Sequence, residues 1–428
     1  MNWKKAGLLT LTLAGLMGSS PFEFSQAQAQ GQQITLQFWG HWLSEQRRPT
    51  ITRIVNTWNA KNPNVKVEYT GVPFDQIINK TLASVAAGNP PDVVVIDIRT
   101  TRLRAAKGQN TNLSALGVES KKNLYFPNLW ATGTYKGQQY GLPFNTDTRV
   151  LYYNKKAFRE VGLDPTRPPK TWADLWNYAL KLDKKEGNRY TRMGFHPLFG
   201  DFGYEGWVGN AKGLLFKDTD YDEPAINNPT AVKVLEWVKR WTDKYGTAQY
   251  AAFRASFGGG AQDEFMSGKV PMVVRNGNYI ATIARNAPDL EYGIVPVPTE
   301  DGQQHPYSSW GGGFNVEIPK GTKHPKEALA FAIFLTTEGA KYWTAEQKDL
   351  PGYRLAQLEN KDPLFLQLVN NMKYTFVAPT AAYAPTYGTA VEKAVQDVVL
   401  QGRDPKAALD EAQQTVMKMV EQGKRETQ

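Results

Sequence analysis

Apolar and polar positions alternate from residue 34. Ile34, Leu36 and Phe38 share one side, which predicts a strand over 34–39. Then Ile51, Ile54, Val55 and Trp58 recur at helical spacing, and Asn62-Pro63-Asn64 turns the chain. Residues 65–69 alternate again. Phe74, Ile77, Ile78, Leu82 and Val85 make a second helical face. The run DVVVIDI at 92–98 is continuously apolar and β-branched, the pattern of a strand buried on both faces. The order β-α-β-α-β predicts an α/β lobe with a largely parallel sheet.

A second lobe begins near 149. Thr171 can cap a helix carrying Trp172, Leu175, Trp176 and Leu180. Another helix runs over 229–244, with Val234, Leu235, Val238 and Trp241 inward. Strands are expected at 268–274 and 314–318, an extended Pro-rich segment at 294–298, and helices over 325–335, 386–400 and 405–422. No repeat or low-complexity segment interrupts this order.

The N-terminus reads as a secretory signal over 1–29. Lys4 and Lys5 precede an apolar stretch at 6–17 that is too short to span a membrane, and Ala27-Gln28-Ala29 is a small-x-small cleavage site. The mature chain is expected to start at Gln30 and to be exported to a periplasm. The chain holds 0 Cys, so neither disulfides nor a lipid-anchored thiol are available. The net charge of +9 falls by one when Lys4, Lys5 and Glu23 are removed. The charges are scattered, with short clusters such as Arg99, Arg102 and Arg104, and read as a solvated surface; no nucleic-acid partner is expected.

Catalytic signatures are missing: no G-x-S-x-G, no phosphate-binding glycine loop, and four histidines too scattered for a metal pair. No cofactor or metal is expected. Aromatic residues in loops are the positive signal, because flat rings cover the apolar faces of sugars while a few polar groups meet the hydroxyls. Trp172, Trp176, Trp237 and Trp241 sit at helical spacing and read as core. Trp39, Trp42, Trp207 and Trp310 lie beside glycines or in glycine-rich turns, where ligand contact and packing both remain open. Ligands of open α/β sheets bind beyond strand ends. That rule singles out Trp39 and His41 after the first strand, Asp97 at the end of DVVVIDI, and Asn278 and Tyr279 after the strand at 272–274. A helix cap or ion pair is the alternative for Asp97. Trp310 followed by Gly311 and Gly312 is expected outside regular strand or helix, as a platform a ligand can approach; plugging a gap between lobes is the alternative. Asp147 and Tyr383 complete the candidate set.

The sequence resembles the extracellular solute-binding proteins of carbohydrate ABC transporters, the maltose-binding-like group. The resemblance spans nearly the whole mature chain. It is carried by GTYKGQQYGLPFNTDTRVLYYNK at 133–155, by Phe265-Met266-Ser267-Gly268 with Asn276-Gly277-Asn278-Tyr279, and by Trp310-Gly311-Gly312-Gly313-Phe314 with the helix start Pro325-Lys326-Glu327-Ala328. Tyr279 departs from the family's usual Trp, and His41 follows Trp39-Gly40. The resemblance implies a two-lobed periplasmic-binding-protein fold, with 30–148 and 294–343 in the N-terminal lobe and 149–293 and 344–428 in the C-terminal lobe. The crossings are expected near 144–149, 296–298 and 339–344. It implies a monomer that captures a sugar or sugar-based solute in the cleft and presents it to a membrane permease, and the excess positive charge keeps an acidic sugar open. Glycerol-3-phosphate fits less well than a sugar. A secreted polysaccharide-acting enzyme and a sensor for a signalling receptor are the alternatives.

Overall fold

A computed structural model describes residues 33–217, 221–356 and 360–427. The expected signal segment lies outside the described residues. In the first lobe, β1 (Ile34–Gly40), α1 (Arg48–Lys61), β2 (Val65–Gly71), α2 (Phe74–Ala86) and β3 (Val93–Asp97) follow in the order that the periodicity predicts. Pro49 opens α1, whose face of Ile51, Ile54, Val55 and Trp58 is buried. The Trp58 indole then donates to the Val65 carbonyl at 2.9 Å, which pins the α1–β2 turn.

The chain continues through β4 (Gly141–Thr146), β5 (Arg149–Asn154), α3 (Trp172–Leu182), α4 (Gly203–Asn210), α5 (Pro229–Tyr245), β6 (Met272–Asn276), α6 (Tyr279–Asn286) and β7 (Tyr292–Pro296). It returns by β8 (Ser309–Trp310), β9 (Gly313–Glu317), α7 (Pro325–Phe334), α8 (Ala340–Gln347) and β10 (Leu350–Pro351). It ends with α9 (Pro363–Asn371), β11 (Thr375–Phe376), α10 (Tyr387–Gln401) and α11 (Pro405–Thr427). The first-lobe sheet has the order β10-β4-β9-β3-β1-β2. β1 pairs in parallel with β2 and β3, whereas the β3–β9, β9–β4 and β4–β10 pairs are antiparallel, so β4 points the same way as β1–β3 and only β9 and β10 are reversed. Every residue of β3 is buried, as its unbroken apolar run requires of a central strand.

The second lobe is built on the antiparallel sheet β6-β5-β7 and a tryptophan-rich core. Trp172 stacks on Trp237 with centroids 4.2 Å apart, and Trp176 meets Trp241 edge-on at 4.7 Å. Thr171 and Asp174 form a reciprocal cap on α3.

Among the described residues three passages join the lobes: β4 to β5 through Asp147-Thr148, β7 to β9 through β8, and one that leaves the first-lobe core at Ala356 and is in the second-lobe core by Phe365. They are tied by buried hydroxyls. Thr148 bonds Ser309 at 3.2 Å and Thr375 at 2.5 Å, and the Asn371 amide donates to Thr148 at 2.7 Å. Two expectations need correction. The third crossing is not at 339–344: Gly339 closes a π-helical turn that runs directly into α8, and Trp343 packs on Trp42 at 4.2 Å, with Tyr353 and Ala356 in the same first-lobe core. Trp310 lies inside a regular element, β8, which pairs in parallel with β11.

Candidate functional site

The C-terminal ends of β1 and β3 and the start of β9 lie side by side at the edge of the first-lobe sheet. His41 follows β1, Asp97 ends β3, and Phe314 pairs with Asp97 across the ladder. The His41 ring is 4.2 Å from Phe314 and 5.3 Å from Phe74. Phe74 is 52% exposed although it begins the apolar face of α2. The three rings make an apolar patch at the sheet edge, a surface suited to the C–H face of a sugar. Trp39 is half-buried and packs against the cluster of Val72, Ile77, Val94 and Ile96.

Asp97 accepts from the Arg99 backbone N–H at 2.9 Å, capping the turn Ile98–Thr100, and its other oxygen accepts from Arg99 Nη2 at 2.8 Å. The helix cap and ion pair weighed for Asp97 are therefore both present. Arg99 is the exposed partner, with 44% of its side chain open against 12% for Asp97.

From the other side come the crossing segments and the second lobe. Asp147 accepts from Arg149 Nη1 and from the Gly312 N–H. The Arg149 guanidinium lies 4.4 Å from the centre of the Trp310 ring, with Nε 3.7 Å from Asp201. The Trp310 indole donates to the Phe202 carbonyl at 2.6 Å, and its edge fits against Gly206, where an added Cβ would lie 2.7 Å from the ring. Trp310 thus has one face under a cation and one edge against α4, rather than standing as a bare platform. Gly311 and Gly313 serve close packing of the crossings: an added Cβ would come within 2.3 Å of the Asp147 carbonyl at Gly311 and 2.2 Å of the Asn145 carbonyl at Gly313. Gly313 also holds φ +132. Gly312 alone of the three would tolerate a Cβ, which would meet only Asp147 Oδ2 at 3.8 Å.

Further along, Tyr387 donates to Glu205 at 2.9 Å. Burial raises the Glu205 pKa, against the Tyr387 hydrogen bond and the charge of Arg99 across the gap. Burial likewise raises Asp201, and Arg149 opposes it. The Arg99 guanidinium is held protonated first by its hydrogen bonds to Asp97.

Of the remaining sequence candidates, Asn278 reaches the cleft walls, donating to Asp349 of the first lobe at 3.0 Å. Tyr383 is half-buried, with its ring 5.5 Å from the Lys424 ammonium. Two candidates are corrected. Trp207 is 0% exposed: it lies in α4, donates to the Pro197 carbonyl at 2.8 Å and packs among Phe202, Trp172 and Trp237. Tyr279 is also buried; its hydroxyl donates to Asp263 and its ring packs on Tyr152 at 5.2 Å. Arg99, Arg149, Asp201, Glu205, Phe74 and Phe314 were missed. The "TDTR" of the crossing motif and the lone aromatic at each element start were their only sequence signals.

Burial and then the charge of Arg47 lower the His41 pKa from 6.5 to about 4, while Asp97 pulls the other way. His196, buried beside Phe199 and Tyr250, is lowered by the same desolvation. Unfolded histidines take up a proton that these folded ones refuse. Their stabilisation is therefore full above pH ~6.5 and is lost as pH falls from there towards 4. Their protonation is expected to pull the melting temperature down between about pH 7 and 4.5, above the range where Glu160 titrates and against the raised carboxylates Asp201 and Glu205, which act in the opposite direction. His41→Gln should flatten part of that drop; an unchanged slope would mean that His41 stays solvated.

An open groove of about 930 Å³ runs along α1, walled by that helix and Glu45 with no residue of the second lobe. Two cavities have walls from both lobes: one of about 710 Å³ beside Arg47, Asn278 and Asp349, and one of about 240 Å³ beside Arg99. They flank the cleft described above.

Comparison with known proteins agrees with this geometry. The chain is 27% identical over 343 residues to the sn-glycerol-3-phosphate-binding periplasmic protein UgpB of Escherichia coli, covering 74% of each. Among solved structures it resembles CpMnBP1 with mannotriose bound, at TM-score 0.76 and 29% identity over 90% of this chain and 100% of that one. A solute-binding protein from Thermotoga lettingae bound with α-D-tagatose gives TM-score 0.70 and 25% identity over 90% and 100%. Residues 44–342 match the bacterial extracellular solute-binding protein model, and with two lobes, three crossings and a polar cleft between them, the chain belongs to that family.

Proposed function

We propose that this protein captures a neutral sugar or short oligosaccharide by lobe closure and delivers it to the permease of an ABC transporter. The observation that carries this reading is the charge of the cleft. Asp97 and Asp147 each hold one guanidinium, Arg99 and Arg149, while Arg149 and Arg275 act on Asp201 and Arg99 acts on Glu205, so each of these arginines already has a carboxylate beside it. A phosphate ester needs cations or backbone N–H groups in excess and would be repelled here. Sugar hydroxyls donate to carboxylates and accept from guanidiniums, and the Phe74–His41–Phe314 patch offers their rings an apolar face. The relatives include binders of both chemistries, and the carboxylate excess favours the sugar. Differential affinity for the closed arrangement then drives closure.

The protein acts as a periplasmic, unanchored binder without catalysis. A thermal-shift screen of neutral sugars against phosphate esters tests the ligand class. A cognate ligand at 100 times its Kd adds about 2.7 kcal/mol of stability. Neutral sugars are expected to raise the melting temperature and sn-glycerol-3-phosphate to leave it unchanged; the reverse pattern would refute the proposal. Chromatography of the incubated sugar should return it intact, and cleavage products would favour the enzyme instead.

A further inference from the structure

α11 buries a stripe of Leu409, Ala412, Val416 and Val420. The helical repeat carries that stripe on to 423, where an apolar side chain is due and a glycine stands, the weakest helix former after proline. Close approach is the reason. A Cβ at Gly423 would lie 2.8 Å from the Tyr383 Cα and 2.9 Å from its carbonyl carbon, and closer still to the carbonyl oxygen. These are backbone atoms, which no rotamer change can move aside.

Tyr383 belongs to the irregular segment 377–384, and that segment meets the first lobe. The Thr380 N–H donates to the Arg99 carbonyl at 2.7 Å. Ile98, beside Arg99, is buried in the same cluster as Val377, Ala378 and Ala381. Tyr135 and then Tyr383 raise the pKa of Lys136, so the Tyr383 hydroxyl also lies near the first lobe. One stretch of chain thus rests on α11 at Tyr383 and on the turn that presents Asp97 and Arg99 at Thr380.

We infer that Gly423 is a positioning residue for ligand capture: by seating α11 on the Tyr383 backbone, it sets where segment 377–384 meets the Ile98–Arg99 turn, and so where Asp97 and Arg99 stand relative to Arg149 and Trp310. This rests on the cleft between those residues being the binding site, and not on the ligand being a sugar.

Hydrogen exchange of the ligand-free mature protein and calorimetry test it together. Gly423→Ala drives a Cβ into the Tyr383 backbone. Gly388→Ala is the control, because it makes the same change inside α10, where an added Cβ meets nothing within 4 Å. Thr380→Pro removes the N–H that reaches Arg99. Gly423→Ala is expected to speed exchange of the Thr380 amide about tenfold while the amides of β3 and β5 keep their protection. Calorimetry uses mannobiose, maltose, D-tagatose and sn-glycerol-3-phosphate. Gly423→Ala and Thr380→Pro should each weaken whichever binds tightest about tenfold, and the double variant should be little weaker than either, because both act through one contact. Gly388→Ala should bind as the wild type does.

Unchanged Thr380 exchange in Gly423→Ala overturns the inference with no ligand needed. So does faster exchange at wild-type affinity, or two losses of affinity that simply add. Loss of protection in β3 and β5 together with Thr380 would make Gly423 a packing residue of the whole fold, and overturns it too. If sn-glycerol-3-phosphate binds tightest and weakens in the expected pattern, the sugar reading falls and this inference stands.

Discussion

Arg104→Met is expected to cost the first lobe about 3–5 kcal/mol, the usual penalty for leaving a buried charge without its partner. Arg104 and Glu317 are 3% and 0% exposed, and two hydrogen bonds of 2.9 and 2.5 Å join them. Asn110 adds a third donor to the same carboxylate at 2.9 Å. The pair does more than hold a helix to β9. Arg104 also donates to the Thr100 hydroxyl, which donates to the Asp97 carbonyl at 2.8 Å, so the turn presenting Asp97 and Arg99 is fastened to the sheet through it. Urea unfolding should show the loss, and Arg104→Met with Glu317→Leu should recover most of it, because the orphaned charge is gone. A single variant as stable as the wild type would mean that the pair is hydrated and not a structural clamp.

Arg149→Met should have the largest effect on binding, weakening the cognate sugar by about 30- to 100-fold, the loss of charge-assisted hydrogen bonds in a closed cleft. Arg149 is 12% exposed, lies between Asp147 and Asp201, and covers the face of Trp310. Its removal leaves Asp147 without its ion pair, leaves Asp201 only the charge of Arg275 and the Asn276 hydrogen bonds, and uncovers the indole. Trp310 fluorescence in the apo protein should therefore change as well. Calorimetry on this variant checks the affinity. An unchanged Kd would reduce Arg149 to a brace for the crossings.

Much of the fold was legible because periodicity reports burial directly. The β1–α1–β2–α2–β3 order, the burial of β3 and the tryptophan core of α3 and α5 all follow from apolar spacing. The third crossing at 339–344 rests on the resemblance alone, with no break in the periodicity there, and the structure carries the helix through Gly339 by a π-turn. The site was only half legible. Strand ends point to His41 and Asp97 because ends are local. A glycine neighbour says nothing about which side of a helix Trp207 faces, and a place after a strand end does not fix where the Tyr279 ring points; both turn inward. Phe74 erred the other way: it shares a helical face with Ile77, yet at the first turn of α2 that face overhangs the sheet edge. Arg149 with Asp201, and Glu205 with Arg99, meet only through the tertiary fold, and no spacing rule brings them together.

The central claim is that both lobes close on a sugar held between Asp97–Arg99 and Arg149–Trp310. Small-angle X-ray scattering of the mature protein, with and without a saturating neutral sugar from the thermal screen, tests it most directly. The radius of gyration is expected to fall on adding the sugar and to stay unchanged with sn-glycerol-3-phosphate. A bound sugar that leaves the radius of gyration unchanged, or a contraction produced by the phosphate ester alone, would contradict the account.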